Sequence, residues 1–213
     1  MTYAQTINGA LRRVPAWPIY ILALFPGIWD FYLGFTGGLG PEPIKSLEQE
    51  LGRFTLQMFI AVLAITPFRN YTKINLIKYR RSLGIMIFVY VAIHLSVWLF
   101  LDVQDFGAVW KDIVKRPYVT FGMISFVALI PLVLTSNNLS LRKLGPVVWR
   151  RLHLLTYPAI FLGGVHFVWL RKGWQVEPLT YLLIIVLLLL TRVKWRGFLP
   201  GGLTRKAGGG VKP

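Results

Sequence analysis

Residues 150–172 read RRLHLLTYPAIFLGGVHFVWLRK. Between Arg151 and Arg171 the stretch is almost wholly apolar, and a bilayer span takes about 20 such residues. Yet it holds His153 and His166, two of the three histidines in the chain. Ionisable side chains inside a bilayer are costly and concentrate at functional positions. The segment therefore reads as a membrane helix with chemistry in it.

Runs of the same kind surround it. Candidate spans fall at 17–35, 52–68, 82–101, 118–135, 153–170 and 176–193. Hydrophobic residues make up 55% of the 213, and charged residues only 15%, beyond what a soluble core of this size requires. The pattern predicts an all-α integral membrane protein, a six-helix transmembrane bundle. The first apolar run is long and no small-residue cleavage site follows it, so it is expected to be a retained span rather than a signal. Residues 1–16 are then an N-terminal cytoplasmic segment, 17–195 the transmembrane domain, and 196–213 a disordered cytoplasmic tail.

Charge supplies the orientation. With the N-terminus in the cytoplasm, most of the 24 Lys and Arg residues fall on that side. They are Arg12, Arg13, Arg69, Lys73, Lys78, Arg80, Arg81, Arg142, Lys143, Arg150, Arg151, Arg192, Lys194, Arg196, Arg205, Lys206 and Lys212. All 8 acids fall on the other side: Asp30, Glu42, Glu48, Glu50, Asp102, Asp105, Asp112 and Glu177. The Lys/Arg bias sets topology, so both termini are expected in the cytoplasm. The net charge of +16 follows from this bias and from attraction to anionic membrane lipid. No nucleic-acid partner is needed to explain it.

The chain has no cysteine. That removes disulfides, iron–sulfur clusters, thiolate zinc sites and c-type haem attachment together. No P-loop, dinucleotide fingerprint or nucleophile elbow is present, and no internal repeat suggests a transporter built on duplicated halves.

The histidines carry what chemistry there is. At about 1.5 Å per residue, His94 lies roughly 12 Å below Asp102 at the outer end of the third span, and His166 roughly 8 Å below Arg171 at the outer end of the fifth. Both spans run from inside to outside, so the two imidazoles share the outer half of the membrane. Such a pair could hold the iron of a six-coordinate haem from its two faces. Gly163 and Gly164, with Gly84 on the third span, would let a flat ring approach. Phe88, Tyr90, Trp98, Phe161, Phe167 and Trp169 offer stacking surface. Cations for the propionates stand outside (Arg171, Lys172, Lys111, Arg116) and inside (Arg80, Arg81, Arg150, Arg151). From the residues alone, haem ligation, a helix–helix hydrogen bond and a proton relay all remain open.

His153 belongs to the inner end of its span. It lies about 20 Å along the axis from His166 and about 140° around it, unless Pro158 bends the helix. The two cannot grip one iron. An inner haem would have His153 on one side, and only Arg80, Arg81 or Ser82 stand opposite on the third span.

The run LTSNNLSLRKLGPVVWRRLHLLTYPAIFLGGVHFVWLRK (134–172), with AITPFRN (64–70) and YRRSLGIMIFVYVAIHLSVW (79–98), closely resembles the haem-binding membrane subunits of bacterial periplasmic protein-methionine-sulfoxide reductase, the MsrQ or YedZ family of the ferric-reductase-like transmembrane superfamily. The likeness runs from about residue 15 to residue 197. It implies a bacterial inner-membrane b-type cytochrome with one haem b or two. His94 and His166 match the outer ligand pair, and His153 the inner ligand of helix five. The inner helix-three histidine of two-haem oxidases has no counterpart here. Arg81, Arg150, Arg151 and Arg171 are the propionate candidates. The resemblance also implies electrons from the quinol pool or a cytoplasmic flavin reductase, FMN as a further cofactor, and a periplasmic molybdopterin-containing catalytic subunit as acceptor. That subunit would repair methionine sulfoxide in oxidised proteins. The loops 37–51 and 102–117 are expected docking surfaces for it. No residue identifies a flavin or quinone pocket. Two other classes remain: a cytochrome b of another respiratory enzyme or a stand-alone metalloreductase, and a proton-coupled transporter.

Overall fold

A computed structural model describes residues 2–171 and 174–192. Among them there is helix and no strand: α1 Tyr3–Arg13, α2 Pro18–Thr36, α3 Pro43–Thr72, α4 Arg80–Val97, α5 Phe106–Lys115, α6 Pro117–Leu134, α7 Asn138–Leu152, α8 Thr156–Leu170 and α9 Val176–Leu190. Lys172 and the tail 196–213 lie outside the described residues. Among the described residues, five stretches are long and apolar enough to cross a membrane: Pro18–Thr36, Pro43–Thr72, Ile77–Val103, Pro117–Leu134 and Asn138–Leu170. The chain is a multi-pass membrane protein. The expected sixth span is the apolar α9, whose 15 described residues reach about 22 Å across a hydrocarbon core of about 30 Å.

Local signals explain the helix ends. Proline opens α2, α3 and α6, where its missing N–H has no intrahelical acceptor to lose. Gly37, at φ 80°, closes α2 in the left-handed conformation and returns its N–H to the Leu33 carbonyl, as a helix C-terminus requires. Asp105 caps α5 by accepting from the amides of Gly107 (3.0 Å) and Ala108 (3.2 Å). Asn137 caps α7 through Ser140 N.

Three connections hold more order than a loop reading of them allows. The N-terminal segment forms α1, docked on the α3–α4 connection. There Asn8 donates to Lys73 O (2.9 Å) and accepts from Asn75 N (2.8 Å), and Lys78 Nζ donates to the carbonyls of Leu11 and Val14. The segment 102–117 contains α5, reached through a wide helical turn at Trp98–Val103. The basic 138–152 segment is α7. It passes into α8 through a tight turn at His153–Leu155, so the chain rewinds before Pro158. That proline sits in the first turn of α8, where it breaks no hydrogen bond.

Helix α3 packs along α4, α6 along α8, α9 closes against α8 and α3, and α2 leans on α3 and α4. Leu51, Leu63, Ile87, Ile160 and Ile185 are fully buried between them. The outward residues of α2, among them Leu22, Phe25, Ile28, Trp29 and Phe35, are exposed, as a face turned to lipid should be. In hydrocarbon every backbone polar group needs a protein partner, and side chains supply some of these. Pro67 leaves the Leu63 carbonyl without its helical donor, and Arg192 supplies one. Near Pro26, the Tyr90 hydroxyl enters α2, accepting from Gly27 N (2.8 Å) and donating to Ala23 O (2.6 Å).

Across the α6–α8 seam Ser125 Oγ donates to Ala159 O at 2.8 Å, beside small residues that bring the helices close. Ser125→Ala is expected to destabilise the folded protein by about 0.6 kcal/mol, the average for such bonds in membrane bundles. Thermal unfolding in detergent measures this.

Candidate functional site

Helices α3, α4, α6 and α8 enclose a cavity of about 280 Å³. Its deep walls are apolar, with Leu56, Phe59, Val91, Phe126 and Phe167 among them. Both His94 and His166 line it. Charged residues line it too: Lys45, Glu48 and Arg53 from α3, Asp102 after α4, and Arg116 before α6.

The two imidazoles are held alike. His94 Nδ1 lies 2.9 Å from the Glu48 carbonyl oxygen and His166 Nδ1 lies 2.7 Å from that of Tyr118. A carbonyl can only accept, so each Nδ1 carries the proton and donates. Each Nε2 is then the unprotonated nitrogen with a lone pair to offer. Metal-binding histidines are oriented in this way by a carbonyl or carboxylate behind them. The ring centroids are 6.3 Å apart and the planes cross at 84°. Two metal–imidazole bonds of about 2.0 Å plus two half-rings span roughly 6 Å between centroids. The pair is thus spaced for one metal atom between them. Among the described residues no cluster of three or more His, Asp or Glu side chains could hold a metal by itself.

His153 stands apart from this arrangement. It does not line the cavity; its ring stacks on Trp149 at 3.8 Å and its Nε2 lies 3.3 Å from Thr135 Oγ1. Of the cations expected to meet propionates, Arg116 lines the cavity; Arg171 does not, but it donates through its terminal nitrogen to Gln49 Oε1 of the lining at 2.8 Å. Its Nε is buried without an acceptor among the described residues. Arg81 donates to Asn138 Oδ1 at 2.7 Å, while Arg150 and Arg151 are exposed on α7. Sequence reading passed over Lys45 and Arg53. Arg53 donates to Glu50 at 2.9 Å and holds its Nε 2.9 Å from Glu177 without the alignment of a hydrogen bond. Of the glycines expected to admit a flat ring, only Gly163 lines the cavity. Gly164 packs against Leu182 and Ile185 of α9, and Gly84 faces open space.

Comparison with known proteins gives the family. Residues 51–164 match the family described as ferric reductase like transmembrane component. The chain is 43% identical, over 191 residues, to the protein-methionine-sulfoxide reductase heme-binding subunit MsrQ of Brucella anthropi; the alignment covers 89% of this chain and 84% of that one. It is 44% identical to the protein of the same name from Brucella ovis, with the same coverage. No solved structure matches the chain. Two carbonyl-anchored imidazoles facing one cavity in a bundle of apolar helices, and relatives matched over nearly the whole length, lead to one assignment: the chain belongs to the MsrQ family of ferric-reductase-like membrane proteins.

Proposed function

We propose that the chain is a membrane b-type cytochrome that carries electrons to the catalytic subunit of a protein-methionine-sulfoxide reductase. The observation that carries this reading is the His94–His166 pair, 6.3 Å apart, each with its Nδ1 committed to a carbonyl. Haem b fits what the residues offer. His94 and His166 would hold its iron, the apolar walls would cover the macrocycle, and Lys45, Arg53 and Arg116 would face its propionates. Arg171, bonded to Gln49 of the lining, stands behind that rim of cations. Bound there, haem supplies reversible one-electron chemistry.

The chain's own groups do the rest. The carbonyls of Glu48 and Tyr118 polarise the imidazoles and raise their basicity as ligands. The phenylalanines exclude water from the cavity, and the cations at the rim offset negative charge. Of the three open readings of this pair, ligation explains the exposed lone pairs, whereas a helix–helix hydrogen bond uses only the Nδ1 side. We further propose the finer assignments: six spans, both termini cytoplasmic, transmembrane domain 17–195, in the bacterial inner membrane. Electrons would enter from the quinol pool or a flavin reductase, with FMN as a further cofactor, and leave to a periplasmic molybdopterin-containing subunit. Family likeness and the charge bias support these assignments.

Reduced, purified protein mixed with that catalytic subunit and methionine sulfoxide should be reoxidised, and should stay reduced if either is left out. Persistent reduction in the complete mixture would instead favour a cytochrome of another respiratory enzyme or a metalloreductase. His153→Ala should leave the absorption of the His94–His166 haem intact, since His153 contacts Thr135 and Trp149 rather than the cavity. The haem-to-protein ratio of this variant against wild type counts any haem held at the inner end.

A further inference from the structure

The two anchoring hydrogen bonds share one design. Glu48, whose carbonyl accepts from His94, is followed four residues later by Gly52; Tyr118, whose carbonyl accepts from His166, is followed four residues later by Gly122. In a helix the amide of residue i+4 lies against carbonyl i. Each imidazole therefore comes to a carbonyl over the glycine beside it. A Cβ at Gly122 would stand 3.0 Å from His166 Nδ1 and 3.2 Å from its Cε1. At Gly52 it would stand 3.5 Å from His94 Cε1 and 3.6 Å from Nδ1. Small residues in membrane helices usually admit a neighbouring helix; here the neighbour is a histidine ring.

We propose that Gly52 and Gly122 are positioning residues. With the carbonyls of Glu48 and Tyr118 they form two seats that fix the rotation of the haem-ligating imidazoles and hold their planes nearly perpendicular. The inference rests on the haem reading above. An imidazole bound to iron through Nε2 can turn about that bond; a hydrogen bond from Nδ1 to a fixed carbonyl stops it. The rings already cross at 84°, so each seat sets one of two independent directions. Crossed ligand planes leave the two iron dπ orbitals that interact with the imidazoles nearly equal in energy, whereas parallel planes split them. The seats thereby govern the electronic state of the ferric ion as well as its attachment.

The test uses purified full-length protein as wild type, Gly122→Ala, Gly52→Ala and Gly84→Ala, with low-temperature electron paramagnetic resonance of the ferric form and haem quantitation on each. Wild type should give one strongly shifted low-field feature, the signature of crossed planes. Gly122→Ala should move that feature towards the three-line pattern of more parallel planes, or lose haem. Gly52→Ala should change it less, because its contact is an ordinary one, and Gly84→Ala, which faces open space, not at all. A haem-replete Gly122→Ala protein with the wild-type resonance would overturn the seats while leaving the haem reading standing. If Gly122→Ala does not fold, the wild-type spectrum decides: a well-spread three-line signal would overturn the locked perpendicular arrangement. A wild type that binds no haem would remove both proposals together.

Discussion

Replacing either His94 or His166 by alanine should strip the cavity of haem. Altering a group that merely orients a ligand lowers metal affinity about 10–100-fold, so removing a ligand should lower it at least as far. No third imidazole or thiolate stands ready to substitute: among the described residues no other histidine lines the cavity, and the chain has neither cysteine nor a fourth histidine. Haem held at this cavity, measured per chain after purification, should fall at least tenfold in each variant by that scale. Residual pigment should have lost its six-coordinate low-spin spectrum. A normal low-spin spectrum in both variants would show that the iron is held elsewhere.

Tyr90→Phe should have the largest effect on stability away from the cavity. The side chain is 1% exposed and its hydroxyl bridges two backbone groups of α2, accepting from Gly27 N and donating to Ala23 O. Phenylalanine keeps the packing and removes both hydrogen bonds of the hydroxyl, each worth about 0.5–1.5 kcal/mol net. Gly27→Ala attacks the same contact from the other side, since its Cβ would meet the Tyr90 hydroxyl at 2.8 Å. The two effects should therefore combine to less than their sum, as expected for neighbours that share a partner. Unfolding of the purified protein in detergent measures all three. A Tyr90→Phe change smaller than about 0.5 kcal/mol would place it among neutral surface substitutions and refute the bridge.

The spans and the histidine pair were legible in the sequence because both are written in composition and helical distance. Long apolar runs announce helices in lipid, and equal depth below two charged ends puts His94 beside His166. The surroundings of the pair were not legible. The seats are made of backbone, and a carbonyl looks the same in every residue; Glu48 and Tyr118 contribute nothing there that their names reveal. Glycine has many uses in membrane helices, so Gly163, Gly164 and Gly84 drew notice by lying on the histidine-bearing spans. Gly52 and Gly122 matter because they lie on the facing ones. Arg53 follows Glu50 by three residues and pairs with it, a spacing that by itself marks no cavity, yet it lines the cavity. The connecting helices α1, α5 and α7 were hidden because apolar run length, the signal used for spans, does not register short amphipathic turns.

The central claim is that one haem iron sits between α4 and α8, and the visible reduced-minus-oxidised spectrum of the purified wild-type protein, with haem quantitation, tests it most directly. The account predicts a Soret band with sharp α and β bands on reduction, as two imidazole ligands give, and at least one haem per chain. A colourless protein, after expression with ample haem, would contradict it.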